Sequence, residues 1–75
     1  MSPRLPQVTA KKLIRALKRA GFREVNQHGS HLTLWHEQKQ CITTVPIHPG
    51  DIKRPLLQAI IRQAGLSDEE FRELL

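Results

Sequence analysis

Four histidines and one cysteine fall within 75 residues: His28, His31, His36, His48 and Cys41. Such a set invites a zinc reading, but the spacing opposes it. His31 and His36 are five residues apart on an alternating stretch, so they point to opposite faces of a strand. The chain has no Cys-x-x-Cys and no His-x-x-x-His pair, the spacings that structural zinc sites use. His28 and His31 can meet across a turn, but two ligands do not close a site. Neither a metal nor a cofactor is expected.

His31 has a second possible use. It opens an alternating run directly after Gly29-Ser30. An imidazole titrates near neutral pH and can take or give a proton there. RNA cleavage needs a base for the 2′-hydroxyl, an acid for the leaving oxygen, and positive charge near the phosphorus. A histidine on an open sheet face beside a basic helix could supply these. The competing reading is a solvated strand residue, and spacing alone favours it. Gly29 either serves the turn or lets a phosphate approach the backbone. Ser30 either donates a turn hydrogen bond or holds His31 in one tautomer. His28 and His48 are auxiliary candidates, His48 lying in the constrained run Pro46-Ile47-His48-Pro49. Trp35, the only tryptophan, either stacks on a base or packs against a helix end.

These residues need elements to hold them. Residues 1–7, with Pro3 and Pro6, read as a flexible arm, leaving residues 8–75 as a single domain. Thr9 is a helix N-cap candidate, and Ala10, Leu13, Ile14, Leu17 and Ala20 follow at helical spacing up to Gly21. The first helix is therefore expected over about 9–20. Its polar stripe is Lys11, Lys12, Arg15, Lys18 and Arg19. Strands are expected over 22–27, 31–36 and 41–45, the last stopped by Pro46. Leu32 and Leu34 would face the helices; His31, Thr33 and Trp35 would face away. Residues 47–54 read as a loop. Pro55 suits the first turn of a helix that ends at Gly65. Ser67 and Glu70 form a capping-box pattern for a short C-terminal helix. The fold class is α+β: a three-stranded antiparallel sheet with helices on one face.

Charge bounds the partners. Twelve Lys and Arg oppose seven Asp and Glu, a net +5. Seven of the basic residues lie within the first 23, with no acid among them. This favours a polyanion partner. A lone cysteine excludes an internal disulfide and points to a reducing compartment. No apolar run approaches the roughly 18 residues of a membrane span, and the N-terminus lacks a signal-peptide stretch. The expected location is cytoplasmic.

Gly21-Phe22, then Gly29-Ser30-His31, then Val45-Pro46-Ile47-His48-Pro49 resembles the HicA toxin family. So does the tail Ile60–Ser67 with Glu70-Phe71. The resemblance spans about residues 8–71. It implies a double-stranded-RNA-binding-like fold, α-β-β-β-α, and a metal-independent mRNA endonuclease (mRNA interferase) of a prokaryotic type II toxin–antitoxin pair. It places the catalytic histidine on His31, and implies a HicB-family antitoxin that covers it. On this reading mRNA is the substrate, held by the helix cations together with Gly29 and Ser30. One departure stands out. Pro55-Leu56-Leu57 replaces the Gly-Thr-Leu that usually opens the second helix in the family. Two alternatives remain: a non-catalytic double-stranded-RNA-binding module, and an interaction module for an acidic protein.

Overall fold

A computed structural model describes residues 5–75 of the chain. The order is β1 (Val8–Thr9), α1 (Ala10–Arg19), β2 (Arg23–His28), β3 (His31–His36), β4 (Cys41–Pro46), β5 (Asp51–Ile52), α2 (Arg54–Gln63) and α3 (Asp68–Leu74). The expected α+β architecture is present: β2-β3-β4 form an antiparallel sheet and the helices pack on one of its faces. No helix among the described residues is long and apolar enough to cross a membrane.

The helices form where periodicity and caps agree. The Thr9 hydroxyl accepts the Lys12 N–H at 3.2 Å and caps α1, which buries Ala10, Leu13, Ala16 and Leu17. Ser67 and Glu70 complete both halves of the capping box of α3, which seats Phe71 in the core. Pro55 lies in the first turn of α2, where its missing N–H costs nothing.

The sheet has two chemically different faces. Leu32, Leu34, Thr43 and Val45 are buried under the helices. Thr43 marks that side directly, its hydroxyl lying 3.3 Å from the Ile60 carbonyl oxygen of α2. Pairing sets His31 against Pro46, Thr33 against Thr44, and Trp35 against Ile42 on the other face. Ile42 there is 54% exposed, and among the described residues no element covers this face.

Several local readings change. Val8–Thr9, just past the expected arm, pairs with Asp51–Ile52, inside what reads as a loop, as a second, two-stranded sheet. Both strands are too short to carry a hydrophobic period. Of the arm, residues 1–4 lie outside the described residues. Leu5 is buried, and its carbonyl accepts the Arg54 Nε–H at 2.8 Å. Phe22 is not in a strand but buried in the core. His28 belongs to β2 and Pro46 to β4. All six residues of β2 are exposed, because this edge strand overhangs the helices, and its register shifts between Glu24 and Asn26. A bulge and charged residues are common protections for such an edge.

Candidate functional site

The β2–β3 connection is the two-residue turn Gly29-Ser30. Two-residue hairpins need primed turns with positive φ at their first position, and Gly29 has φ +59°. A side-chain carbon at Gly29 would meet nothing within 4 Å. The turn conformation, not crowding, calls for glycine there, and the backbone lies open. Ser30 acts through its carbonyl, which accepts the Ile47 N–H at 2.6 Å and ties the turn to the end of β4.

This turn sets His28 directly opposite His31 in register. Opposed residues on one sheet face hold their Cβ atoms about 5 Å apart. Both histidines are exposed. The two imidazoles therefore share one solvent-facing patch at the tip of the hairpin, beside Pro46. His48 is exposed in the loop just beyond Pro46. It lines a shallow cleft with Pro46, Lys53 and Leu56. Among the described residues no group of three or more His, Cys, Asp or Glu side chains is placed to hold a metal ion.

The fourth histidine is structural. His36 is only 7% exposed. Its Nδ1 accepts the Lys39 N–H at 3.1 Å, so the ring proton sits on Nε2, 3.0 Å from the Ala20 carbonyl oxygen. Phe22 meets the ring edge-on at 5.1 Å between centroids. Gly21 lies against Nε2: a Cβ there would come within 2.7 Å of it. His36 thus locks the end of α1 to the end of β3.

The basic stripe does not share a face with His31. The apolar side of α1 packs on the helical face of the sheet, so its charged side points away from both. Lys18 is ion-paired with Glu24, and an Arg19 guanidinium N–H donates to the Leu74 carbonyl at 2.8 Å. Glu24 is four residues before His28, about 13 Å along the strand. Lys12, Arg15 and Arg19 line an open groove of about 320 Å3 with Val8 and Leu74. Lys11 and Lys12 differ. They stand in the first turn of α1, and the adjoining Thr9 pairs with Asp51, five residues beyond the Pro46 that faces His31.

Trp35 lies on the open face, half-buried, with Arg23 and Ile42 as its cross-strand neighbours. Its indole N–H donates to Glu37 Oε2 at 2.6 Å. Arg23 and Ile42 were absent from the sequence-level site. Alternation of Ile42 with the buried Thr43 is the signal that places it beside Trp35.

The arrangement defines a small α+β domain with one uncovered sheet face that carries paired histidines and an aromatic. A family model described as "HicA toxin of bacterial toxin-antitoxin" matches residues 10–66. The chain belongs to the HicA toxin family. No curated protein matches it in sequence.

Proposed function

We propose that the chain is an endoribonuclease toxin whose reaction centre is the His28–His31 pair on the open sheet face. The observation that carries this reading is the register that sets the two imidazoles opposite each other beside an exposed turn. A lone histidine cannot be base and acid in one step; an opposed pair can divide the roles. His31 takes the proton from a ribose 2′-hydroxyl. The 2′-oxygen attacks the adjacent phosphorus, and the P–O5′ bond breaks. His28 gives a proton to the departing 5′-oxygen. The products are a 2′,3′-cyclic phosphate and a 5′-hydroxyl. The open backbone at Gly29 lets the phosphate approach, and Lys11 and Lys12 hold flanking phosphates. Lys18 and Arg19, tied elsewhere, contribute less to this contact.

The fold order matches a double-stranded-RNA-binding-like domain, and the substrate is mRNA. A HicB-family antitoxin would silence the protein by covering the open face. The test is incubation of purified protein with RNA in EDTA. Wild type is expected to cut and leave cyclic phosphate ends. His31→Ala is expected to be inactive and folded, and His28→Ala slowed by about 10²–10⁴-fold, the usual worth of one positioned acid. Cleavage by folded His31→Ala would overturn the assignment. Salt-sensitive binding with no cleavage by wild type would favour the non-catalytic RNA-binding reading.

A further inference from the structure

Trp35 sits on the same face as His31 and four residues along the same strand, which is about 13 Å. Among the described residues no element covers it, yet its indole is fixed by the Glu37 carboxylate. Arg23, its cross-strand partner, lies on one side, and the exposed Ile42 on the other. Thr33 and Thr44 lie between this aromatic patch and the histidine pair, their hydroxyl oxygens 3.5 Å apart. The open face is therefore a track: paired histidines at one end, small polar residues in the middle, a fixed aromatic beside an arginine at the other.

We infer that this track binds single-stranded RNA, with one unpaired base stacked on Trp35 and an adjacent phosphate met by Arg23. The inference rests on the nuclease reading, since it supplies the substrate that His31 cuts. Chemistry selects the strandedness. A duplex hides the faces of its bases in its own stack, and proteins read it through phosphates and 2′-hydroxyls. An aromatic ring on a flat sheet has use only for a base whose face is free. Arg15, Lys18 and Arg19, the cations suited to a duplex backbone, lie on the side of α1 that points away from this face.

The chain has one tryptophan and no tyrosine, so its intrinsic fluorescence reports Trp35 alone. Binding of a single-stranded oligoadenylate to His31→Ala protein, which leaves the probe uncut, is expected to quench that emission saturably. The same oligonucleotide in a duplex is expected to leave it unchanged. Trp35→Phe should keep affinity within about threefold, and Trp35→Ala should lose about 5- to 150-fold, the worth of one stacked base. RNA binding without quenching, equal quenching by duplex, or full affinity in Trp35→Ala would each overturn the inference. Cleavage by wild type in EDTA is scored separately. Cleavage without quenching refutes the stacking contact and leaves the nuclease standing; quenching without cleavage supports the stacking contact and refutes the nuclease.

Discussion

Gly21→Ala should destabilise the domain sharply, and the structure says through which contact. Gly21 has φ +105°, a conformation that costs a residue with a side chain about 1–2 kcal/mol. The new methyl would sit 2.7 Å from His36 Nε2. That ring cannot swing aside freely, because both its nitrogens are hydrogen-bonded. Displacing it leaves a buried donor and acceptor unpaired, a further cost of about 1–3 kcal/mol. Reduced freedom of the unfolded chain returns about 0.4–1 kcal/mol. The net loss is roughly 1–4 kcal/mol, out of a total stability on the order of 4–11 kcal/mol for a chain this size. Thermal unfolding followed by circular dichroism should show a melting point lower by about 4–30 °C. A double-mutant cycle isolates the cause: in a His36→Ala background the same substitution should cost only its backbone part. An unchanged cost there, or a neutral Gly21→Ala, would refute the assignment of this glycine to the His36 lock.

Three other outcomes follow from the same geometry. In salt titrations of RNA affinity, replacing Lys11 and Lys12 together by Gln should flatten the log–log slope by about 1.4, or 0.7 for each single-strand phosphate contact; replacing Lys18 and Arg19 should leave it nearly unchanged. The Glu70 carboxyl titrates below its ordinary value of 4.5, held there by hydrogen bonds from the Ser67 backbone and then its hydroxyl. Its contribution to α3 is therefore full above pH 4.5 and is lost as pH falls through the lower folded value. Amide exchange at Ser67, whose N–H the carboxylate accepts, should accelerate over that acid range in wild type, and exchange at Glu70, whose N–H the Ser67 hydroxyl accepts, should be fast at every pH in Ser67→Ala. Phe71→Ala, which empties a fully buried site, should cost about 3–5 kcal/mol by urea denaturation, even though α3 lies beyond the matched family region.

The helices and the two sheet faces were legible because long elements repeat their pattern. Leu13 and Leu17 fall on one side of α1, and Leu32 and Leu34 on one side of β3, and both pairs are buried. The β1–β5 pairing was not legible, because two residues per strand cannot show alternation. β2 was legible as a strand but one residue out of place: an overhanging edge strand has no core to face, so its polar residues carry no inward signal. The histidines sort by environment more than by sequence. His28 and His31 are brought together by a tight turn that could be read, though it is one residue shorter than expected because His28 belongs to β2, whereas the role of His36 depends on Ala20, Gly21 and Phe22, which approach it only after folding.

The basic stripe is the part whose meaning shifts most. An amphipathic helix that buries its apolar side on a sheet must aim its charges away from that sheet. A helix beside the sheet in sequence is therefore across it in charge. The molecule is 17 Å through its thinnest dimension, about two Debye lengths at physiological salt. Cations on the far side of α1 can draw a polyanion toward the protein, yet they do little for charge developing at the hairpin tip. The first turn of the helix, with Lys11 and Lys12, follows directly on the Thr9 that pairs with Asp51. On the proposed reading, attraction and chemistry occupy different surfaces of the domain. A partner that covers the open sheet face could block the histidines while leaving the basic stripe exposed, so loss of cleavage need not bring loss of RNA attraction.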